Sequence, residues 1–205
     1  MKLVEREYNI KEVITFAKTN GEHGGLSNMA PGYSLFVNEV NIQSSEILYQ
    51  AIRFSLFPRI QEELIKVGNP MKAKKISRDY NSYSRQDWER IRFKVMRWCL
   101  EVKLIQNFDK FSSLLLATGE KSIVEYSNTD KVWGATPSSP NKLTGVNALG
   151  RLLMEVREKI KNETLHSESI IYPLDIPAFL LFNNKIKEVH NDAYFIGDLD
   201  DIYAY

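Results

Sequence analysis

The stretch SSEILYQAIRF, Ser44–Phe54, predicts a helix with one apolar face and one polar face. Ser44 is a favoured N-cap residue, and Pro58 lies near the expected end of the helix. The apolar face is Ile47, Ala51 and Phe54, and the polar face is Glu46, Gln50 and Arg53. This polar face is the first candidate catalytic site in the chain.

Glu46 is a candidate catalytic carboxylate because it lies in the first turn, where the helix dipole favours its anionic form. Gln50 follows one turn later on the same face and is within reach of it. The structural alternative is a capping acid that pairs with Arg53, and the residues alone favour that alternative.

Other helices are predicted from their start and stop signals. Gly68 is placed to end the second helix, and Asn69 followed by Pro70 is placed to begin the third. Ser84 and Asp87 resemble a capping box for the longest helix. The predicted helices are 45–57, 59–67, 70–80, 85–106, 108–119 and 146–160.

Strands are predicted to be few and short. The segments 13–18 and 122–127 have the pattern of strands, and 33–43 has that of a hairpin. Residues 128–145 are dense in turn formers and predict a loop, and short strands and turns are expected from Ile170 onward. The sequence therefore predicts a mainly helical α+β fold, a compact multi-helical domain with a few short β-strands.

The composition is that of an ordinary globular chain. Of its 205 residues 43% are hydrophobic, and no apolar stretch reaches the roughly 20 residues that span a membrane. The charged N-terminal residues do not have the pattern of a signal peptide. The single cysteine, Cys99, excludes an internal disulfide, indicates a cytoplasmic location, and is expected to be a small buried residue. On the same long helix, Lys103 is expected to snorkel toward solvent.

Charge is unevenly distributed although the net charge is only +1. Residues 71–103 contain ten Lys and Arg against four Asp and Glu, whereas residues 163–205 contain eight Asp and Glu against two Lys. Such asymmetry indicates a polyanionic partner on one face, and a solvated helix surface is the alternative.

Several classes of site are excluded by the absence of their motifs. The three histidines, His23, His166 and His190, are scattered, and no Cys/His spacing fits a metal site. No P-loop, GxGxxG or GxSxG motif is present. The sequence therefore predicts neither a metal nor a cofactor.

Residues 21–29, GEHGGLSNM, combine three glycines with polar side chains. Glycine clusters are tolerated where φ is positive or where a ligand comes close to the main chain. This loop is therefore a candidate binding element.

Two further polar clusters are candidates for binding. Asp130 precedes Trp133 by three residues, and this pair suits a sugar or a base, although Trp133 is equally suited to plug a long loop. Lys74 and Arg78 share a helix face and suit phosphate, and Trp88 is placed for stacking.

Six blocks of the sequence, in this order, resemble the NADAR family. They cover about residues 14–160, and their combination is far more specific than any block alone. The blocks are GGLSNM, SSEILYQAIRF, NPMKAKKISRDY, RQDWERIRFKVMRWCLEVKLIQN, TGEKSIVEYSNTDKVWG and GVNALGRLLMEVRE.

The resemblance implies a compact, mostly helical fold that cleaves N-glycosidic bonds of ribosyl groups. One branch of the family destroys early riboflavin-pathway intermediates. The other removes ADP-ribose from guanine bases in DNA and often acts as the antitoxin of a DNA ADP-ribosyltransferase toxin. The motifs GGLSNM and ILYQ look more like the second branch.

The resemblance also implies roles for individual residues. Glu46 becomes the general acid/base, and Asp130 binds ribose hydroxyls. The residues that the resemblance implies bind substrate are Ser27, Asn28, Trp88, Trp133, Gly134 and Asn147, and the further binding candidates are Gly25, Gln50, Lys74 and Arg78. Glu46 and the Asp130–Trp133 turn are expected to line one cleft.

A ring-opened ribose exposes an aldehyde, which a lysine traps as a Schiff base in some family members. Lys18, just before the glycine loop, is the better placed candidate, and Lys74 is the second. An ordinary exposed lysine is the alternative for each.

The expected organisation is a NADAR-like catalytic domain, 1–160, with a C-terminal extension, 161–205, packed on it. The expected partners are ADP-ribosylated DNA with a single-stranded or flipped guanine, ADP-ribose as product, and a cognate toxin. An N-glycosidase of riboflavin intermediates and a non-catalytic ADP-ribose-binding antitoxin are the alternatives.

Overall fold

The computed structural model describes residues 4–191 and is mainly helical, with short strands, as predicted. The helices are α1 Ser45–Arg53, α2 Pro58–Lys66, α3 Pro70–Asp79, α4 Trp88–Gln106, α5 Phe108–Leu116 and α6 Ala148–Lys161. The strands are β1 Arg6–Asn9, β2 Ile14–Phe16, β3 Leu35–Val37, β4 Val40–Ile42, β5 Ile123–Glu125, β6 Thr136–Ser139, β7 Lys142–Gly145, β8 Leu180–Leu181 and β9 Asn184–Lys185.

Internal contacts group the described residues into two units. The first unit contains residues 4–30 and 109–165, and the second contains residues 31–108 and 166–191. Each unit is therefore assembled from two separate parts of the chain. The division at residue 160 that the sequence predicts stays a prediction, and the part of the acidic tail after residue 191 lies outside the described residues.

The first unit is built from two small sheets and α6. Strands β1, β7 and β6 form an antiparallel sheet in that order, with Tyr8 opposite Leu143. Strands β2 and β5 pair in parallel, and α6 packs on β5. A Cβ atom at Gly150 of α6 would lie 2.1 Å from the carbonyl oxygen of Ile123, so only glycine permits this close approach.

The second unit is organised around α1. Every residue from Ser45 to Ile52 is buried, and α1 packs against α2, α3 and α4. The Ser44 hydroxyl accepts a hydrogen bond from the Ile47 N–H at 3.3 Å, which confirms the predicted N-cap. Strands β3 and β4 form the predicted hairpin, whose turn has positive φ at both central residues, Asn38 and Glu39.

Three buried side chains are among those that hold residues 166–191 to the rest of the second unit. The Gln61 amide donates to the Ala51 and Leu180 carbonyls at 3.0 Å each. The Arg85 guanidinium donates to the Ala178 carbonyl at 3.2 Å and also to the Pro177 carbonyl. The indole N–H of Trp98 donates to the Tyr172 carbonyl at 2.9 Å. These three side chains are Gln61, Arg85 and Trp98.

The local helix signals are largely confirmed. The Asn69 side chain accepts from the Lys72 N–H at 3.0 Å, and α3 starts at Pro70. Gly68 and Gly119 follow their helices with φ of 61° and 56°, the left-handed conformation in which glycine is favoured.

The capping box predicted at the start of the longest helix is wrong. The helix begins at Trp88, and Asp87 makes no side-chain cap. Its carboxylate instead accepts from the Arg85 guanidinium at 2.6 and 3.2 Å. Ser84 accepts from Arg53 and donates to the Asn81 carbonyl. Both candidate capping groups are thus used by other partners.

Two further expectations are also wrong. Residues 136–145 are a β-hairpin rather than a loop, because β7 pairs with both β6 and β1. Lys103 does not snorkel: it is fully buried, and its ammonium lies 4.3 Å from the centroid of the Tyr33 ring, where a cation–π interaction stabilises it.

Candidate functional site

The second unit places Glu46 and Gln50 side by side in the first two turns of α1. The Glu46 side chain is 2% exposed, and the Gln50 side chain is 5% exposed. Gln50 Nε2 donates to Glu46 Oε1 at 2.8 Å, so the amide orients the carboxylate. The first-turn position of Glu46 and the face that it shares with Gln50 are as predicted from the sequence, and the structure adds their burial and the hydrogen bond between them.

The Gln50 side chain carries a second feature that the sequence does not reveal. Its Oε1 atom is buried and has no hydrogen-bond partner among the described residues. A buried acceptor without a donor costs free energy, because it has lost its hydrogen bonds to water. A substrate N–H or O–H group would satisfy it.

The alternative in which Glu46 is a capping acid paired with Arg53 is not observed within residues 4–191. The Arg53 guanidinium donates to Ser84 Oγ at 2.8 Å and to the Asn81 side-chain oxygen. Arg53 therefore anchors the segment before α4 and is not the ion-pair partner of the first-turn acid.

An aromatic residue that the sequence did not single out, Tyr49, lies beside this acid. Its ring centroid is 4.7 Å from that of Trp88, with the planes tilted by 48°. Burial first, and the charge of Glu46 second, raise the pKa of the Tyr49 hydroxyl well above its usual value. Trp88 is itself buried, so the structure shows it packed on Tyr49.

Cys99 of α4 is fully buried, as expected from the sequence. Burial raises the pKa of its thiol well above the usual value, and the charge of Glu46 raises it further. The thiol is thus held in its protonated form, which is a poor nucleophile.

The remaining cationic candidates of the second unit lie on α3, which packs against α1. Lys74 is half-buried and Arg78 is exposed. The Lys74 carbonyl accepts from the Ser77 hydroxyl at 2.8 Å, and this bond is internal to the helix.

In the first unit the glycine loop folds back on itself. A Cβ atom at Gly24 would lie 2.2 Å from the Thr19 carbonyl oxygen, so this glycine permits a close approach of the chain to itself. Ser27 and Asn28 are buried, and the Ser27 hydroxyl accepts from the Met29 N–H at 3.2 Å. Lys18, just before the loop, is exposed, and Gly25 lies within the short 3-10 turn 24–26.

Asp130 organises the turn that carries Trp133. Its Oδ1 atom accepts from the N–H groups of Val132 and Trp133, both at 2.9 Å. Trp133 is half-buried, and a Cβ atom at Gly134 would lie 2.5 Å from the Glu125 carbonyl oxygen. The structure therefore gives Asp130 and Gly134 clear parts in shaping this turn.

Asn147 is fully buried and clamps β5 to the start of α6. Its Oδ1 accepts from the Glu125 N–H at 3.0 Å, and its Nδ2 donates to the Ile123 carbonyl at 2.8 Å. Its φ of 51° is left-handed. Both ends of the Asn147 amide are thus engaged by the main chain.

The predicted site residues consequently divide between the units. The second unit holds Glu46, Gln50, Lys74, Arg78 and Trp88, and the first holds Lys18, Gly25, Ser27, Asn28, Asp130, Trp133, Gly134 and Asn147. The common cleft of Glu46 and the Asp130–Trp133 turn stays a prediction, as do the binding roles assigned to these side chains.

Within residues 4–191, no group of three or more His, Cys, Asp or Glu side chains is arranged to hold a metal ion. None of the described helices has the length and apolar character that crossing a membrane requires.

The fold and sequence are similar to those of proteins already known. A family model described as the NADAR domain matches residues 15–161. The solution structure of the Escherichia coli protein YbiA superposes with a TM-score of 0.64 at 33% identity, covering 74% of this chain and 86% of that one.

The curated relatives are named as N-glycosidases and as a riboflavin biosynthesis protein. The chain is 34% identical over 151 residues to N-glycosidase YbiA of Escherichia coli, which covers 74% of this chain and 90% of YbiA. It is 36% identical over 152 residues to riboflavin biosynthesis protein VVA0006 of Vibrio vulnificus, again over 74% of this chain. The match spans only 40% of the length of the Vibrio protein.

Proposed function

The chain belongs to the NADAR domain family, and on this premise we propose that it is an N-glycosidase that releases ADP-ribose from guanine bases in DNA. Its biological role in this proposal is to act as the antitoxin that reverses a DNA ADP-ribosyltransferase toxin. Relatives named N-glycosidases support the reaction class, which is hydrolysis.

The observation that carries the proposal is the buried pair of Glu46 and Gln50. Cleavage of an N-ribosyl bond develops positive charge at the anomeric carbon. A carboxylate held in a water-poor environment stabilises such charge far better than one in solvent. Glu46 is buried, lies at the N-terminus of a buried helix, and is held by a hydrogen bond of 2.8 Å.

In the proposed reaction the bond between the anomeric carbon and the guanine nitrogen breaks, and the base leaves with the electron pair. Water then forms the new C–O bond, and Glu46 accepts the water proton. The proton passes to the departing base, so hydrolysis consumes one water molecule. Gln50 Oε1, the buried acceptor, binds an N–H or O–H group of the substrate.

Charge distribution supports a nucleic-acid substrate. Residues 71–103 carry the excess of Lys and Arg, and Lys72, Lys75, Arg78 and Arg90 within them are exposed. In this proposal these cations neutralise phosphates, so binding weakens as salt concentration rises.

A second candidate function is favoured by one comparison. The name of the Vibrio relative refers to riboflavin biosynthesis, which points to a small ribosylated pyrimidine phosphate as the substrate. The same Glu46 chemistry serves either substrate, because both contain an N-ribosyl bond.

The proposal is tested with wild type and the variant Glu46→Gln. Each protein is incubated with an oligonucleotide carrying ADP-ribosylated guanine and, separately, with early riboflavin-pathway intermediates, and products are identified by mass spectrometry. We expect wild type to release ADP-ribose from the oligonucleotide, and E46Q to be slower by about 100-fold or more. Glu62→Gln, at an exposed glutamate of α2, is the matched control and retains full activity.

Each alternative has its own outcome. Turnover of the riboflavin intermediates alone would replace the proposed substrate with the second candidate. ADP-ribose binding without turnover of either substrate would show a non-catalytic antitoxin. Full activity of E46Q would remove Glu46 from the chemistry.

A further inference from the structure

A groove of about 440 Å³ lies in the second unit, between the end of α1, the start of α4 and residues 177–178. We call it the aromatic groove. Its lining includes Leu56, Phe57, Tyr83, Arg85, Asp87 and residues 177–178. The volume is within the roughly 300–1,000 Å³ typical of pockets for small ligands.

Exposed aromatic rings form one wall of the aromatic groove. Tyr83 is 49% exposed and Phe57 is 36% exposed. Their ring centroids are 5.2 Å apart at an interplanar angle of 81°, and Tyr80 supports Tyr83 edge-on at 6.1 Å. Leu56 beside them is also exposed. An aromatic ring that is left open to water in this way, such as that of Tyr83, suits stacking on a nucleobase.

Hydrogen bonds connect other residues that line the aromatic groove. The buried Arg85 guanidinium binds the Asp87 carboxylate through two bonds, of 2.6 and 3.2 Å, and also donates to the carbonyls of Pro177 and Ala178. Because these bonds join the segment before α4 to residues 177–178, the groove is preformed and a ligand need not order it.

Helix α3 leads directly to these rings and is basic. Residues 70–79 contain four Lys and Arg against one Asp. Lys72, Lys75 and Arg78 are exposed, whereas Ala73 and Ser77 face the interior. At 1.5 Å per residue the three cations extend over about 9 Å of helix. A cationic stripe that ends at an aromatic pair is the combination used to bind single-stranded nucleic acid.

We propose that the aromatic groove binds an unmodified nucleotide of single-stranded DNA, with its base stacked on Tyr83 and the neighbouring phosphates along α3. This inference rests on the proposed function, because it gives the DNA substrate a second point of attachment away from the glycosidic bond. It explains why aromatic surface stays exposed beside a run of cations.

The test measures binding of the full chain to a fluorescein-labelled, unmodified oligothymidylate by fluorescence anisotropy. We expect salt-dependent binding that Tyr83→Ala weakens by about 10-fold and Tyr83→Trp retains. Tyr172→Ala is the matched control, because Tyr172 is a more exposed tyrosine, at 65%, outside the groove. Circular dichroism confirms that each variant is folded.

A second measurement separates this inference from the proposed function. Tyr83→Ala is expected to slow ADP-ribose release from a long oligonucleotide at low concentration, and to leave release from ADP-ribosylated guanosine within about 2-fold of wild type. If the wild-type protein binds oligothymidylate through Tyr83 but releases no ADP-ribose, the result supports DNA binding by the aromatic groove and contradicts the proposed substrate.

Other outcomes would contradict the proposal that the aromatic groove binds DNA. The proposal fails if Tyr83→Ala and Tyr172→Ala bind the oligonucleotide with equal affinity. It also fails if the wild-type protein does not bind the oligonucleotide. Tighter Tyr83-dependent binding of an oligouridylate would contradict the assignment to DNA.

Discussion

Gln50 donates a hydrogen bond of 2.8 Å from Nε2 to Oε1 of Glu46, one helical turn earlier in α1. The nitrogen must face the carboxylate, because an amide oxygen in its place would repel the negative charge. The amide oxygen is thereby turned away, and it is the buried acceptor without a partner. One side chain thus both orients the proposed catalytic acid and presents the acceptor that we propose binds substrate.

The first prediction concerns Gln50→Leu, which removes both functions with little change in volume. We expect kcat to fall by about 10- to 100-fold, because the carboxylate loses the bond that orients it. Unfolding free energy changes little, because the variant loses one hydrogen bond and also removes a buried unpaired acceptor. Steady-state kinetics and thermal melting provide the measurements, and Gln43→Leu, at an exposed glutamine, is the control. An unchanged kcat would show that Gln50 does not position Glu46.

A second prediction separates the two features of Asn147, its left-handed backbone and its clamp on β5. Asn147→Gly keeps the backbone conformation but loses two hydrogen bonds, and we expect it to lower the free energy of unfolding by about 2 kcal/mol. Asn147→Ala adds the strain of a left-handed Cβ residue and should cost about 1 kcal/mol more. Urea denaturation measures both. Equal losses for the two variants would refute the contribution of backbone strain.

Local interactions explain why much of the fold could be predicted. Ser44 and Asn69 cap helices within three residues of their own positions, and Gly68 and Gly119 adopt the left-handed conformation at helix ends. Such signals depend only on neighbouring residues, so they are readable from the sequence.

The errors arise where a distant partner takes a group that local rules assign elsewhere. Asp87 does not cap α4, because Arg85 holds its carboxylate and is itself bound to residues 177–178. Residues 136–145 form strands because β7 pairs with its neighbour β6 and also with β1, more than 130 positions earlier. No local pattern reveals the pairing with β1.

In the candidate site, too, local features could be predicted from the sequence and contacts between distant residues could not. The polar face of α1 was evident from spacing alone, and Glu46 and Gln50 are indeed hydrogen-bonded. The contact of Tyr49 with Trp88 joins α1 to α4 and was missed. Asp130 and Asn147 carry main-chain hydrogen bonds that depend on the exact path of the backbone.

A third prediction concerns the Schiff base that the resemblance implies, in which a lysine amine condenses with the aldehyde of the ring-opened ribose released by the hydrolysis, with loss of water. With ADP-ribosylated oligonucleotide and sodium borohydride, we expect a covalent adduct on Lys18, which is exposed beside the glycine loop. Lys18→Arg keeps the charge and should abolish the adduct, whereas Lys74→Arg should retain it. Peptide mass spectrometry locates the modified residue. An adduct that persists in Lys18→Arg and disappears in Lys74→Arg would transfer the role to Lys74, and no adduct with wild type would exclude the Schiff base.

The last prediction uses the pH dependence of stability. The hydrogen bond from Arg85 is the main cause that lowers the pKa of the Asp87 carboxyl below its ordinary value of 3.8. A lowered folded-state pKa means that the unfolded chain binds the proton first as the pH falls. The stabilisation from Asp87 is therefore complete well above pH 3.8 and is lost as the pH falls through the folded-state value. We expect Asp87→Asn to lower the free energy of unfolding by about 1–3 kcal/mol at pH 7, because it leaves the buried Arg85 without its anionic partner.

The difference between wild type and Asp87→Asn should shrink as the pH falls through the acidic range, because wild type then loses the same charge by protonation. Urea denaturation at a series of pH values measures this difference, and Asp175→Asn, at an exposed aspartate outside the helices, is the control. A difference that stayed constant with pH would mean that the Asn side chain disturbs packing and that the Arg85–Asp87 ion pair contributes no net stability.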